Sequence, residues 1–264
     1  VSNADRAENT YKANLYVYDM AEKKVRKMTS GGDAKSYVWT NDNTLLFPAA
    51  RCSEVKKKQE AGEALTSFYE ISPEGGEACH AFTVPAKIIG FKALPDGRFL
   101  MTASQDNHKD TRKKSYEVFD ELPFWANGQG IVNKKRTRLA VYDPENGSCE
   151  IVTPDYENVE NSWVEGDDTI LYVSSLYTDK KDVYQGLKQY TISTGELKTL
   201  VEQKDMSIDY ACILKGKVTF FGSYMKEYGF NENDKLYTVE DGKVELLSDY
   251  DDSIRNTICC DCKF

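Results

Sequence analysis

Long apolar runs are missing from this sequence. No stretch of about 18 consecutive apolar residues occurs, which excludes a membrane-spanning helix, and we expect no membrane partner. The first twelve residues contain neither an initiator Met nor a basic segment followed by an apolar one, so no signal peptide is recognisable. Positive charge is also in deficit, because 43 acidic side chains outweigh 34 basic ones and give a net charge of -9. This balance argues against nucleic acid as a partner.

Catalytic motifs are equally scarce. The sequence has no G-x-S-x-G string, which would mark a serine nucleophile, and no Gly-rich phosphate loop. Its two histidines, His80 and His108, lie in EACHAFT and DNHKD, and neither is surrounded by residues that indicate a general base. The acidic pairs 167–168 and 251–252 fall in turn-forming segments. We therefore expect no catalytic residue and no cofactor in this chain.

The seven cysteines form an odd set, and four of them lie in apolar, strand-like segments: Cys79, Cys149, Cys212 and Cys259. This pattern predicts buried, reduced thiols and a cytoplasmic protein in preference to a disulfide framework. The CCDC string at 259–262 places three thiols within four residues, as a metal site could. Adjacent thiols on a strand point to opposite faces and zinc needs four ligands, so we interpret CCDC as a strand interior and expect no metal.

An internal repeat is the strongest positive feature of the sequence. Two similar strand-like segments, LYVYD and LAVYD, begin at Leu15 and Leu139, and each is followed 24 residues later by a tryptophan, Trp39 or Trp163. Three further copies begin with SFYEI at Ser67, LKQYT at Leu187 and LYTVE at Leu236. The copy at Ser67 places Phe91 at the same spacing, and the last copy breaks off near the end of the sequence.

The repeat predicts an all-β fold. Each unit of roughly 50 residues contains four short strand-like stretches with turn formers between them, as at 144–148 and 165–168. Four strands per unit and an aromatic residue at a fixed position are typical of β-propeller blades, whereas a sandwich does not require that spacing. We therefore predict a partial β-propeller domain over residues 1–264. Because the units begin and end out of phase, we expect an incomplete ring. The exposed sheet edges of such a ring favour association, so a homo-oligomer is one expected partner state.

Two insertions interrupt the repeat. The first, residues 51–65, is rich in charged helix formers and predicts an exposed loop or one to two helical turns. The second, residues 105–136, carries ELPFWANGQG between two basic clusters. These clusters are Lys109, Arg112, Lys113 and Lys114 on one side, and Lys134, Lys135, Arg136 and Arg138 on the other.

The second insertion has two interpretations. It forms a docking hairpin, or it is a solvated hairpin whose aromatic side chains pack on their own blade. In the first case Phe124 and Trp125 act as anchors that fill a partner's pocket, and Asn127-Gly128 makes a tight turn. The docking residues predicted are Pro123, Phe124, Trp125, Asn127 and Gly128.

This insertion also carries a family resemblance. The run YEVFDELPFWANGQGIVNKKRTRLAVYD, residues 116–143, resembles prolyl-oligopeptidase-family serine peptidases of the acylaminoacyl-peptidase type. In that family a PFW-x-NG-x-G stretch and a basic pair precede a strand like LYVYD. The opening NADRAENTYKANLYVYD and the tail DYDDSIRNTICCDCKF are similar to family segments as well, so the resemblance spans nearly the whole chain. PFWANGQG is its most specific part.

The resemblance implies a two-domain enzyme. A propeller of seven or eight blades would restrict access to a C-terminal α/β-hydrolase domain, beyond Phe264, that carries a Ser-Asp-His triad. The partners would be that domain and a peptide substrate, either an oligopeptide or a peptide with an acylated N-terminus. Some family members bind a free amino terminus with paired glutamates, but this sequence has no adjacent Glu-Glu pair.

Two alternatives stay open at this stage. The first is a stand-alone propeller that acts as a protein-binding scaffold. The second is a propeller glycosidase, which would require buried carboxylates that converge in the central channel.

Overall fold

The computed structural model describes residues 1–107, 116 and 118–252. Within this part of the chain, three two-stranded and four four-stranded antiparallel sheets account for nearly all regular structure. The chain opens with two hairpins, whose strands are β1 (Ser2–Asp5), β2 (Thr10–Ala13), β3 (Tyr16–Asp19) and β4 (Lys24–Lys27). No described helix has the length and apolar character needed to cross a membrane.

The first two four-stranded sheets contain the insertions. The first sheet has the order β5-β6-β7-β8, with strands β5 (Val38–Trp39), β6 (Leu45–Pro48), β7 (Thr66–Ile71) and β8 (Cys79–Val84), and helix α1 (Ser53–Glu60) connects β6 to β7. The second sheet is formed by β9 (Lys87–Ala93), β10 (Phe99–Asp106), β13 (Lys135–Tyr142) and β14 (Cys149–Ile151). Between β10 and β13 lies a small hairpin of β11 (Trp125–Ala126) and β12 (Gly130–Ile131).

The other two sheets are simple meanders. One consists of β15 (Glu157–Glu165), β16 (Thr169–Leu176), β17 (Gly186–Thr191) and β18 (Leu197–Val201). The other consists of β19 (Ser207–Leu214), β20 (Lys217–Ser223), β21 (Lys235–Glu240) and β22 (Lys243–Ser248), with a short 3-10 helix at Gly229–Asn231. Four consecutive antiparallel strands in spatial order are the architecture of a propeller blade, so the all-β prediction with four-stranded blades is confirmed.

The sequence repeat is out of phase with the sheets. SFYEI, LKQYT and LYTVE form β7, β17 and β21, each of which is the third strand of its sheet. The repeat aromatics Phe91 and Trp163 lie on β9 and β15, each the first strand of the next sheet. Of the alternatives predicted for residues 51–65, an exposed loop or one to two helical turns, the chain forms the helix α1.

The chain divides into two compact units. One contains Val1–Gln105 and Arg138–Thr153, and the other contains Asp106–Thr137 and Pro154–Phe264. The predicted assignment of residues 1–264 to a single propeller domain stays a prediction.

The core of each unit lies between neighbouring sheets. In the first unit, Phe68 of β7 packs on Phe91 of β9 with ring centroids 5.0 Å apart. Phe68 is a buried member of an apolar cluster, and Phe91 packs against that cluster. In the second unit, Leu171 of β16 and Phe220 of β20 belong to a cluster that both meanders supply. Trp163 packs against this cluster, so an aromatic between blades is confirmed at Phe91 and Trp163.

Two residues differ from what the sequence indicated. The repeat aromatic Trp39 is 45% exposed, because its strand β5 has only two residues and the nearby apolar cluster is formed mainly by β6, β7 and residues that flank β3 and β4. Cys79 is exposed on β8, which is the outermost strand of its sheet, and Cys149 and Cys212 are half-buried. All four described cysteines are free, and Cys259 lies outside the described residues.

Replacing Phe68 by Ala tests the core between the first two sheets. The Phe68 side chain is fully buried, so its loss should reduce the free energy of unfolding by about 3–5 kcal/mol. Phe230→Ala is the matched control, since Phe230 is 78% exposed, and it should change stability by less than about 0.5 kcal/mol. Urea titration followed by circular dichroism measures both. Equal effects of the two substitutions would contradict this assignment of the core.

Candidate functional site

The insertion between β10 and β13 is the first candidate site. It spans residues 107–134, two residues shorter at each end than predicted, because β10 extends to Asp106 and β13 begins at Lys135. His108 and the first basic cluster, residues 109–114, lie outside the described residues.

The predicted turn is present in the hairpin of β11 and β12. Trp125 pairs with Ile131 and Ala126 pairs with Gly130, which leaves residues 127–129 as the connection. Gly128 has a φ of 74°, in the left-handed region where a side chain is costly, and Asn127 precedes it. The backbone N–H of Gln129 donates to the Ala126 carbonyl at 3.2 Å and closes the turn.

Several large apolar side chains of the insertion are exposed. Trp125 is 55% exposed and Phe124 42%, and the Phe119 and Phe124 rings stack with centroids 5.0 Å apart. Pro123 is also exposed, next to a cis peptide bond with Leu122. We use the name hairpin patch for Phe119, Leu122, Phe124, Trp125 and Ile131. These side chains are partly exposed, and both interpretations of the hairpin, docking and packing on its own blade, stay predictions.

A buried ion pair fastens the insertion. The Arg136 guanidinium donates from Nη1 to Glu121 Oε1 at 2.9 Å and from Nη2 to Glu121 Oε2 at 2.6 Å, and neither side chain is exposed. Its other N–H groups donate to the carbonyls of Tyr156, Lys135 and Tyr177 at 2.8–3.0 Å. All five guanidinium N–H groups therefore have acceptors, which offsets the cost of burying the charge.

The same segment is tied to the connection between β16 and β17. The Leu122 N–H donates to the Asp179 carbonyl, and the Lys181 N–H donates to the Leu122 carbonyl, both at 2.7 Å. Lys134 Nζ donates to the Thr178 carbonyl at 2.5 Å. The insertion thus contacts residues 177–181, which lie in the connection between two strands of the following sheet.

Two arginines of the second basic cluster are buried. Arg136 and Arg138 are 1% and 4% exposed, so they are structural and do not form a basic surface. Glu121, the buried carboxylate that pairs with Arg136, was not recognised from the sequence. A glutamate fifteen residues before an arginine has no periodicity that indicates a contact, and only the folded chain brings them together.

A cavity of about 530 Å³ is the second candidate site. Its walls come from β15, β19 and the connections that follow β16 and β20. Glu160 and Asp209 contribute to it from irregular positions of their strands, where the pairing register shifts. Val183 and Phe230 supply apolar surface. The volume falls in the range of small-ligand pockets.

The carboxylates of the cavity are held by defined contacts. Glu160 pairs with Lys181, the residue whose backbone N–H binds Leu122. Glu232 accepts hydrogen bonds from the Glu227 N–H at 3.0 Å and from Ser223 Oγ at 2.9 Å. The Glu227 N–H, followed by the Ser223 hydroxyl, holds the pKa of the Glu232 carboxyl below its ordinary value of 4.5. Residues 177–185 therefore contact the insertion on one side and the cavity on the other.

Other sequence candidates do not form sites. His80 is exposed on β8, and its Nε2 lies 2.9 Å from Thr83 Oγ1. Asp168 accepts from the Ser193 N–H and hydroxyl, as expected for turn chemistry. Across residues 1–107 and 118–252, no group of three or more His, Cys, Asp or Glu side chains is arranged to hold a metal ion. The CCDC string lies outside the described residues.

Comparison with solved structures shows the fold. Acylaminoacyl peptidase from Pyrococcus horikoshii matches with a TM-score of 0.65 and 17% identity, over 94% of this chain and 37% of that one. The chain thus spans little more than a third of that peptidase. The β-propeller domain of the Trilobed protease from Pyrococcus furiosus, described as having an open velcro topology, matches with a TM-score of 0.51 and 14% identity, over 93% of this chain and 66% of that one.

The fold is not limited to peptidases. An oligogalacturonate lyase, solved in complex with manganese, matches with a TM-score of 0.53 and 12% identity, over 89% of this chain and 59% of that one. No protein-family model and no curated protein matches the sequence. The likeness to the propeller of acylaminoacyl peptidases that the sequence indicated is therefore confirmed at the level of the fold.

Substitution of Arg136 by Met tests the ion pair. It removes the guanidinium from the buried Glu121 carboxylate, which keeps only the Lys134 N–H at 3.0 Å and the Lys134 ammonium at 3.8 Å, so the free energy of unfolding should fall by about 3–5 kcal/mol. Lys217→Met is the matched control, because the Lys217–Glu240 pair is exposed and worth at most about 1 kcal/mol. The double variant Glu121→Leu/Arg136→Met should recover most of the loss. An Arg136→Met protein as stable as the control would refute the role of the pair.

A pH titration tests the loop that Glu232 orders. A carboxyl with a lowered folded-state pKa contributes stability above its ordinary value of 4.5, and this contribution is lost as the pH falls through the folded-state pKa. Hydrogen exchange of the Glu227 amide, corrected for intrinsic rates, should therefore accelerate below about pH 4.5 in the unmodified protein. In Glu232→Gln it should already be faster at pH 7 and change little with pH. Identical profiles would show that Glu232 does not order the loop.

Proposed function

We propose that this chain is propeller sequence from a serine peptidase of the prolyl-oligopeptidase family. The observation that carries the proposal is the likeness to acylaminoacyl peptidase over 94% of the chain. The PFWANGQG insertion, which forms an ordered hairpin, supports the same family. Because the identity is only 17%, the likeness by itself speaks for the fold, and the peptidase assignment depends on both observations together.

In this proposal the propeller does not catalyse. A Ser-Asp-His triad belongs to a further α/β-hydrolase domain of the same polypeptide, and the propeller limits which molecules reach it. The substrates are oligopeptides or peptides with acylated N-termini. We further propose a cytoplasmic location, with which the four free described cysteines agree.

A protein-binding scaffold is the second candidate. The hairpin patch favours it, because several large apolar side chains are exposed within a short segment and two of them, Phe119 and Phe124, are stacked. The likeness to a lyase also shows that similar blades serve other chemistry. The two candidates differ in one respect that can be measured: only the peptidase contains a nucleophilic serine.

Activity measurements test the proposal directly. The 264-residue chain should release no chromophore from acyl-aminoacyl p-nitroanilides, whereas the full-length protein should hydrolyse them. A fluorophosphonate probe should label the full-length protein at one serine, since the serine oxygen attacks phosphorus and displaces fluoride. Turnover by the 264-residue chain alone, or a full-length protein that neither reacts with the probe nor cleaves peptides, would exclude the assignment.

A further inference from the structure

Asn-Gly pairs occur in two exposed turns of this protein. Asn127-Gly128 lies between β11 and β12, and Asn146-Gly147 lies between β13 and β14. An asparagine followed by glycine is open to deamidation, because the glycine nitrogen can reach the side-chain amide carbon and no Cβ obstructs the approach. Since both pairs have the same sequence, their surroundings determine which of them reacts.

The Asn146-Gly147 pair is held at both reacting groups. Asn146 Oδ1 accepts from the Ser148 N–H, and Asn146 Nδ2 donates to Asp143 Oδ2, both at 2.8 Å. The Gly147 N–H, whose nitrogen would be the nucleophile, donates to the Asp143 carbonyl at 2.9 Å. These hydrogen bonds must break before the Gly147 nitrogen can approach the Asn146 amide carbon, and each of them adds to the barrier.

The Asn127-Gly128 pair lacks such contacts. Among the described residues, none forms a hydrogen bond with the Asn127 side chain or with the Gly128 N–H. Both residues are exposed, and a Cβ built on Gly128 would meet no atom within 4 Å apart from those of its chain neighbours. Rotation of the peptide between Asn127 and Gly128 therefore breaks no hydrogen bond of the described chain.

The hairpin around Asn127 is also small enough to open locally. Strands β11 and β12 contain two residues each, and the Gln129 N–H bond to the Ala126 carbonyl closes their turn. A hairpin of this size opens at low cost. The turn of Asn146 instead follows β13, an eight-residue strand that is mostly buried.

We propose that Asn127 is a site of spontaneous deamidation in the folded protein and that the contacts of Asn146 protect it. The inference does not depend on the proposed function, because the reaction needs only this turn and water. It assigns a chemical role to the Asn-Gly turn of the insertion that the blade architecture does not require.

The reaction has two steps. Hydroxide removes the proton of the Gly128 nitrogen, and the resulting electron pair attacks Asn127 Cγ. The new N–Cγ bond closes a succinimide ring, the Cγ–Nδ2 bond breaks, and Nδ2 takes a proton from water and leaves as ammonia. Water then opens the ring. Cleavage of the N–Cγ bond gives aspartate, and cleavage between the Gly128 nitrogen and the main-chain carbonyl carbon of residue 127 gives isoaspartate.

The products change the tip of the hairpin in charge and in length. Either product places a carboxylate at position 127. Isoaspartate also routes the main chain through Cγ, which lengthens the segment between Ala126 and Gly128. The Gln129 N–H then cannot meet the Ala126 carbonyl in the present geometry, so we expect the isoaspartate form to lose this turn.

Peptide mapping of the full-length protein by mass spectrometry tests the inference, with Asn146 as the internal control. At about pH 8, Asn127 should convert to aspartate and isoaspartate at least about tenfold faster than Asn146, because the hydrogen bonds of Asn146 must break first. The Asn127 rate should fall at about pH 6, since hydroxide generates the nucleophile. In concentrated urea, which removes both turns, the two rates should agree within about threefold.

The substitution Asp143→Ala provides a second measurement. It removes the carboxylate that binds Asn146 Nδ2, so Asn146 should deamidate at least about threefold faster while the Asn127 rate stays the same.

Three results would overturn the inference. Equal rates for Asn127 and Asn146 in the folded protein would mean that their contacts do not decide the reaction. An Asn127 rate more than about tenfold lower in the folded protein than in urea would mean that the hairpin protects this residue. An unchanged Asn146 rate in Asp143→Ala would contradict the protective role of the Asp143 side chain.

Discussion

The fold depends on covering both faces of each four-stranded sheet. The middle strand β16 shows this most clearly, because it places Ile170, Leu171, Tyr172 and Val173 on alternating faces, and all four side chains are fully buried. A single antiparallel sheet with one wet face would not tolerate this composition. Stacking of neighbouring sheets within a unit removes these faces from water, and the outer strands, such as β22, can then be largely exposed.

The insertion departs from this pattern and is stabilised differently. None of its described residues supplies a large apolar side chain to the core clusters around Phe47, Phe68 and Leu171. Instead it is held by the Glu121–Arg136 pair and by backbone bonds to residues 177–181. A buried ion pair gives little net stability compared with apolar packing, but it is directional, and breaking it is costly. Directional contacts suit a segment whose aromatic side chains must stay outside, because apolar anchoring would have buried them.

Sheet packing determines the blade architecture but not the function of the protein. The blade architecture follows from sheet packing, and peptidases and a lyase share it. Evidence about function comes from what is added to the blades, which is the insertion and the charged cavity beside it. The insertion and part of the cavity wall lie in connections between second and third strands, where the chain is free to vary without loss of core packing.

The amino-acid sequence by itself determined the blade repeat, including the third strand of a sheet and the first strand of the next one. It also determined the Asn127-Gly128 turn and indicated helical turns after β6. Each of these features depends on local alternation, propensity or spacing. Tertiary structure decided the rest. Burial of Arg136 requires a carboxylate fifteen residues away, and exposure of Trp39 and Cys79 follows from how short β5 is and where β8 lies in its sheet. The contact of the insertion with residues 177–181 joins segments about fifty residues apart. A contact between segments so far apart leaves no periodic pattern in the sequence.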